Sequence, residues 1–462
     1  MREIALWVMF VTVVGWSVTM TCHARPPRRP NIVFIFTDDQ GYGDLGCFGN
    51  DRINTPNLDR MAAEGARLTS FYAMPLCTPS RAALMTGCYP VRVGLGRGSR
   101  HAVLLAGDAH GLNPDEITVA ELLRSAGYAT GMFGKWHLGD QPEFLPTRQG
   151  FDVFYGLPYS HDIFPPNQHA RYHFPPLPLL DGERVVEVNP DPDRLTGLFT
   201  DKAIAFIQAH RDQPFFVYLA HPMPHRPVHA SRPYIERSTR ISPDRDYPID
   251  NMRARDVLYP AAIDEVDAGV GRIFDTLKSL GLDEDTLVIF TSDNGPAAGG
   301  LGRTAPLRGR KGSIQEGGLR EPCIVRWPGH IPAGQTIDAV TCIMDWLPTL
   351  TGLGGGDLPV DRAIDGRDIW PLLSGQSDPS PHEAFYYYQG NQLKAVRQGP
   401  WKLMVSGALY QLHDDPAEQH NLAADHPDIV ARLKRLIQKM DHDIRSNHRP
   451  CGMVQQPAVL SE

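Results

Sequence analysis

"NIVFIFTDDQ", Asn31 to Gln40, is the stretch on which the fold turns. A short apolar run without alternation, closed by two carboxylates, reads as a strand buried on both faces with its acids at the carboxyl end. "TPNLDRMAAEG" follows, with Thr55 as N-cap, Pro56 at the first helical position and Gly65 as the stop. The alternation then recurs. "TVAELLRSAGY" is a helix capped by Thr118, and "ATGMFG" is a strand. "FTDKAIAFIQAH" precedes the strand "PFFVYLA", and the long helix "YPAAIDEVDAGVGRIFDTLKSLG" precedes the strand "TLVIFTSDNG". Helices alternating with buried strands predict an α/β fold, a mainly parallel sheet covered by helices on both faces.

Two stretches break the rhythm, Leu157 to about Asp193 and Pro222 to about Asp256. Both are rich in Pro, His and Arg and read as long binding loops or lids. Composition shifts around "GLGGGDLPVDRAIDGRD", Gly352 to Asp368. Beyond it "AFYYYQ", "LKAVRQG", "PWKLMV" and "ALYQLHD" read as short antiparallel strands, and "HPDIVARLKRLIQKMDHDI" as an amphipathic helix. The expected organisation is a large domain over 25–365 and a small C-terminal α+β subdomain with an antiparallel sheet over 366–462.

The 462 residues carry a net charge of −8 and no basic block, which argues against a nucleic-acid partner. Arg2, an apolar run from Ile4 to about Met20, and Ala24 form the pattern of a cleaved export signal over 1–24. A transmembrane anchor is the competing reading of that run. With no second long apolar run, no stable membrane anchor is expected and the mature protein is placed in an exported compartment. The seven cysteines match no zinc spacing, and one or two disulfides are compatible with such a compartment.

The chemistry-bearing residues cluster where strands should end. Asp38 and Asp39 close the first strand, and Asp293 and Asn294 close the "TLVIFTS" strand. Ligands in open α/β sheets bind beyond the carboxyl ends of strands. Three carboxylates and one amide there are all-oxygen donors, which suits a hard divalent cation rather than zinc. Their alternative role is capping the loops and helices that follow. Lys135 and His137 in "GMFGKWHLG", Lys311 in "PLRGRKGSIQEGG", and Arg81 would form a local positive patch around an anion. "YLAHPMPHRPVH" offers His225 in a tight "PHRP" turn as a general acid, with His221 and His229 read as parts of a rigid surface loop. In "MPLCTPSRAALMTG", Thr78 can cap and Pro79 can start a helix that ends at Gly87. Cys77 would then face a helix N-terminus, where a thiolate is favoured.

"CTPSRAALMTG" resembles the sulfatase signature, C-[ST]-P-S-R followed by a short apolar helix and T-G. The other stretches with which it resembles that family are "TDDQGYGD", "GKWHLG", "PHRP", "SDNG" and "GRKGSIQEGGLREP", in the expected order. "GCYPVRVGL" and "GFDVFYGLPYSHD" resemble its arylsulfatase A-like branch, and "LYQLHDDPAEQHNLA" its C-terminal subdomain. The resemblance implies an alkaline phosphatase-like fold and the hydrolysis of aryl or carbohydrate sulfate monoesters. It implies that a formylglycine-generating enzyme oxidises Cys77 to Cα-formylglycine. It implies one Ca²⁺ held by Asp38, Asp39, Asp293 and Asn294, with residue 77 or the bound sulfate completing the shell. Arg81 would stabilise the hydrated aldehyde, while Lys135, Lys311 and Ser160 would hold sulfate oxygens. His225 would protonate the leaving alcohol, and His137 would help expel sulfate. His161 and Asp162 would have a supporting role. The implied partner is a sulfated small molecule or glycan. Competing readings are a phosphate mono- or diesterase of the same superfamily, and a non-catalytic sulfate-binding scaffold in which Cys77 stays a thiol.

Overall fold

The computed structural model describes residues 29–163, 173–238 and 252–460. The expected export signal lies outside the described residues, as do parts of both long loops. One sheet of ten strands organises the molecule. In chain order these are β1 (Asn31–Thr37), β2 (Ala66–Leu68), β3 (Ala129–Lys135), β4 (Val153–Leu157) and β5 (Pro178–Asp181). They continue with β6 (Arg184–Val188), β7 (Phe215–Ala220), β8 (Thr286–Ser292), β9 (Cys323–Arg326) and β10 (Gln335–Ile337). The spatial order is β10-β2-β9-β8-β1-β7-β3-β4-β5-β6. The central five, β8 to β4, run parallel; β9, β2, β5 and β6 are added by antiparallel pairs, and β10 pairs parallel with β2 at the edge.

The buried-strand reading of Asn31–Thr37 has a direct structural counterpart. Ile32, Phe34 and Phe36 enter one hydrophobic core, while Val33 and Ile35 enter the other. Successive side chains of a strand point to opposite faces, so a strand between two helical layers must be apolar at every position. The first core takes side chains from helices α2 (Cys77–Thr86), α3 (Val119–Ser125) and α6 (Trp346–Leu353). The second takes them from α1 (Pro56–Glu64), α4 (Leu195–Ala209) and α5 (Tyr259–Ser279). Pro56 opens α1 as expected, and Thr118 caps α3 reciprocally with Glu121.

The C-terminal strands form a separate antiparallel sheet of β11 (Phe385–Gln389), β12 (Gln392–Gln398), β13 (Trp401–Met404) and β14 (Leu409–Gln411). Helix α7 (Pro427–Ser446) follows, and Phe385, Tyr387 and Leu433 join the first core.

Several expectations need correction. The stretch Leu157–Asp193 is not wholly loop, because β5 and β6 form a hairpin that lengthens the sheet. Gly182–Glu183 makes its two-residue turn, with Gly182 at a left-handed φ of 63°. The second stretch contains a short helix, Arg232–Arg237. Helix α4 starts at Leu195, ahead of the expected Phe199, after a 3-10 turn at Pro192–Arg194. The six cysteines among the described residues are all free thiols. No helix among the described residues is long and apolar enough to cross a membrane.

Candidate active site

The ends of β1 and β8 meet because their register pairs Thr37 with Ser292. The Asp293 amide donates to the Thr37 carbonyl at 3.1 Å, so the acids after both strands share one floor. Asp39 adopts a left-handed φ of 63°, which turns the chain as it leaves the strand. A non-glycine residue holds such a backbone only where the surroundings impose it. Here the Asp39 amide donates to Asp293 Oδ1 at 3.2 Å, and Asn294 Nδ2 donates to Asp39 Oδ1 at 2.7 Å. Asp38, Asp39, Asp293 and Asn294 are all buried.

Helix α2 aims residue 77 at this floor. The helix starts at Cys77 itself, with Leu76 as a cap that supplies no side chain. The expected Thr78 cap is therefore incorrect. Thr78 Oγ1 instead donates to the His137 carbonyl at 3.1 Å and accepts from the Leu104 amide at 3.2 Å. Ser80, within the same signature, accepts from the Met74 amide at 2.9 Å and donates to the Asp293 carbonyl, tying the helix to the end of β8. Cys77 Sγ lies 3.7 Å from Asp38 Oδ1. Burial, reinforced by the Asp38 charge, pushes the thiol up to about 12. The favoured thiolate expected from the helix N-terminus is thus overturned, because desolvation and a neighbouring anion outweigh the partial charges of the helix end.

Cations surround the acids. Arg81 Nη2 sits 3.2 Å from Asp38 Oδ2 and 3.0 Å from Asp293 Oδ2, while its Nη1 donates to the Lys135 carbonyl at 2.6 Å. Lys135, the last residue of β3, pairs with Asp38 through Nζ. Lys311 Nζ lies 2.6 Å from Asp39 Oδ1. His225 Nε2 lies 3.7 Å from Asp39 Oδ2, and its Nδ1 lies 2.6 Å from the Arg226 carbonyl. A carbonyl only accepts, so Nδ1 carries the proton and Nε2 faces the acids. His137 Nε2 meets the Leu104 carbonyl at 2.9 Å. Burial, with Lys135 and Arg81 adding repulsion, holds its imidazole well below the usual range.

A cavity of about 290 Å³ opens above this floor. Cys77, His137, Ser160, Asp162, His225 and Lys311 line it. Asp38, Asp39, Asp293, Asn294, Arg81 and Lys135 are thus in the floor, and Cys77, His137, Ser160, Asp162, His225 and Lys311 line the cavity. His161 stacks edge-on between His225 and His229, with ring centroids 5.6 and 5.7 Å apart. His221 and His229 are buried, so the surface-loop reading of both is incorrect. His229 Nδ1 lies 2.7 Å from Asp193 Oδ1, packed behind the site rather than on it. Sequence reasoning missed the apolar side of the cavity, where Val103, Leu105, Ile163 and Phe174 stand. Their spacing in "SRHAVLL" and in the loop after Ser160 matches no periodic element, so no pattern marks them.

The residues present fit a hard cation. Asp38 and Asp39 offer carboxylate oxygens within 4.8 Å of each other, of Cys77 Sγ and of a His225 ring nitrogen, and Asp293 and Asn294 add two more oxygen-bearing side chains bonded to Asp39 on the same floor. Asn294 Oδ1 is buried without a hydrogen-bond partner among the described residues. Burial and the Asp38 charge raise Asp293 to about 7. On Asp38 burial also acts upward, but Lys135, His225 and Arg81 outweigh it and hold that carboxyl well below its usual range. The monovalent cations therefore satisfy one carboxylate and leave its neighbour short of charge, which an oxygen-coordinated dication would supply.

Comparison with known proteins agrees with this geometry. The sulfatase family model matches residues 30–356, and a model of the N-sulphoglucosamine sulphohydrolase C-terminal region matches 310–443. Human arylsulfatase A is 40% identical over 468 residues, covering 88% of this chain and 87% of that protein. Mouse N-acetylgalactosamine-6-sulfatase is 41% identical over 399 residues, covering 82% and 72%. Among solved structures, Ps i-CgsB in complex with k-i-k-neocarrahexaose superposes with a TM-score of 0.79 at 29% identity, covering 94% of this chain and 95% of that one. A phosphonate monoester hydrolase from Silicibacter pomeroyi, at 21% identity and a TM-score of 0.62, shares the fold. The chain belongs to the sulfatase family of sulfuric ester hydrolases.

Proposed function

We propose that the protein hydrolyses sulfate monoesters of an aryl or carbohydrate alcohol, using formylglycine made from Cys77 and one Ca²⁺. The observation that carries this reading is the convergence of Cys77, three buried carboxylates and four basic side chains on one small cavity. Asp38, Asp39, Asp293 and Asn294 would hold the ion, which supplies Lewis-acid polarisation of a sulfate oxygen and lowers the pKa of a bound hydroxyl. The hydrated aldehyde at residue 77 supplies the attacking oxygen and a second hydroxyl through which sulfate can later be released.

The chain's own residues set up the rest. Lys135 and Lys311 flank residue 77 and neutralise the charge of the ester, a contribution largest in a dry site. Arg81 is buried against Asp38 and Asp293 and keeps them oriented toward residue 77. Ser160 stands in the cavity wall, placed to donate to a sulfate oxygen. His225, whose Nδ1–H is taken up by the Arg226 carbonyl, presents Nε2 to the position of the leaving alcohol; as the imidazolium it would give its Nε2 proton to the alcohol oxygen as the S–O bond breaks and be left neutral. His137 lines the same cavity and would serve the release step. Val103, Leu105 and Phe174 give the cavity an apolar wall against which a ring of the alcohol would lie. Catalysis would lie in the 25–365 region, with 366–462 as its C-terminal support, in an exported protein.

The test is sulfate release from an aryl sulfate and from sulfated sugars, by protein produced with a formylglycine-generating enzyme. A mass matching aldehyde in place of thiol in the tryptic peptide Leu68–Arg81, together with sulfate release that Cys77→Ala abolishes, is the expected result. Release of phosphate but not sulfate would overturn the reading in favour of the phosphoesterase. A matured protein that binds sulfate without turnover would leave only a scaffold.

A further inference from the structure

Lys311 reaches the site from a turn, not from a strand or helix. Gly309 and Gly312 flank it at left-handed φ values of 91° and 79°. On the site side, the Lys311 amide donates to the Pro296 carbonyl at 3.1 Å and the Gly312 amide to the Pro75 carbonyl at 2.8 Å. Arg310 braces the turn as well, its guanidinium donating to the Ala297 carbonyl at 2.9 Å and the Gly302 carbonyl at 2.6 Å, but the last reach to the site is made by the long lysine side chain, which amplifies small backbone shifts.

The far side of the turn is held by the C-terminal sheet. Lys402, on β13, is fully buried and donates through Nζ to the Ile314 carbonyl at 2.7 Å and to Glu316 Oε1 at 3.0 Å. It also forms an ion pair with Glu418 Oε1 at 2.8 Å. Glu418 Oε2 in turn accepts from the Glu316 amide at 2.9 Å. Tyr387, on β11, donates to Glu316 Oε1 at 2.8 Å, and Tyr72 donates to Glu316 Oε2 while receiving Arg397. Nearer to Lys311, Gln389 Nε2 donates to the Gly312 carbonyl at 2.7 Å from the protein surface. Removing two charges from water costs several kcal/mol per ion, and a seam of apolar residues could close this interface as well. What an ammonium adds is a fixed donor aimed at the backbone carbonyl of Ile314, three residues after Lys311.

We infer that Lys402, with Glu418 and Gln389, is a positioning residue for Lys311: the C-terminal sheet clamps the turn that carries the sulfate-binding amine. The inference rests on the proposed role of Lys311, but its geometry can be read without turnover.

The experiment compares the matured full-length wild type with Lys402→Met/Glu418→Gln and with Gln389→Ala. The double variant removes one charge of each sign, so the buried seam stays balanced and the protein folds. Two quantities are measured at a temperature where all three are folded. The first is the reactivity of Lys311 toward an amine-acylating reagent, read by peptide mass spectrometry with and without inorganic sulfate. The second is kcat and KM for an aryl sulfate. The expected result is several-fold faster labelling of Lys311 in the double variant and weaker protection by sulfate. Its kcat falls by about 10- to 100-fold, the scale of a misplacement near 1 Å. Gln389→Ala, an exposed change, shifts both in the same direction by a smaller factor. Unchanged labelling and unchanged kcat in the folded double variant would overturn the clamp and leave Lys402 a purely structural ion. Absence of sulfate release by the wild type would instead defeat the sulfatase reading, while the labelling comparison would still decide the clamp.

Discussion

Two buried clusters of charge sit close together in this protein, and they are built to opposite ends. In the seam between the Lys311 turn and the C-terminal sheet, Glu316 is answered on every side. Burial alone would raise its carboxyl, but Lys402, Arg397 and Arg320 outweigh it and bring it to about 2. On the floor of the active site the same ingredients do not balance. Arg81 and Lys135 both lean on Asp38, Asp293 is raised to about 7, and Asn294 Oδ1 has no partner among the described residues. A cluster closed by its own residues holds the fold together. A cluster left open at its centre is prepared for something that arrives.

The comparison can be broken most forcefully at the open cluster. Lys311→Ala should lower kcat/KM for any sulfate ester by about 10²- to 10³-fold, the usual cost of deleting one charge-stabilising donor. Its melting temperature should move less than that of a seam variant, because the Lys311 amine, unlike that of Lys402, keeps some contact with water. Steady-state kinetics beside thermal unfolding would check both. The closed cluster should answer first in stability. Lys402→Met alone leaves Glu316 and Glu418 buried without their shared cation and should cost about 3–5 kcal/mol of stability, measured by denaturant unfolding. Stability left unchanged by Lys402→Met would erase the contrast.

Acid sharpens it further. Glu316 has its folded pKa below the unfolded value of 4.5, at about 2. Its contribution is therefore complete above about pH 4.5 and drains away as pH falls toward 2, amounting to about 3 kcal/mol at most. Urea midpoints between pH 6 and pH 3 should fall less steeply in Glu316→Gln than in the wild type. The smallest effect expected is that of Gln389→Ala on stability, within about 0.5 kcal/mol, as for surface positions generally.

The open cluster was far more legible in the sequence than the closed one. Apolar runs that end in "TDDQ" and "SDNG" announce buried strands and put acids at one edge of the sheet before any coordinates exist. Register then brings Asp38 and Asp293 together with little further choice. Lys402 gave no such signal. In "PWKLMV" a lysine between apolar neighbours reads as the solvent face of an amphipathic strand. Its burial is decided by Glu316 and Glu418, residues distant in sequence whose approach no local pattern encodes. The β5–β6 hairpin was missed for a different reason. Its Gly182–Glu183 turn was present, but the proline-rich run before it obscured the alternation of "RVVEV". Helix α2 shows how tertiary contact overrides local preference, since Thr78 caps nothing and spends its hydroxyl on the His137 carbonyl.

The most direct test of the contrast is bound calcium per chain. Matured full-length protein would be freed of loose ions by gel filtration and analysed by elemental mass spectrometry, beside Asp39→Asn and Lys402→Met/Glu418→Gln. The account predicts about one Ca²⁺ per chain in the wild type and in the seam variant, as expected for an oxygen-donor site, and almost none in Asp39→Asn. Calcium absent from the wild type even after incubation with the ion, or retained in full by Asp39→Asn, would contradict it.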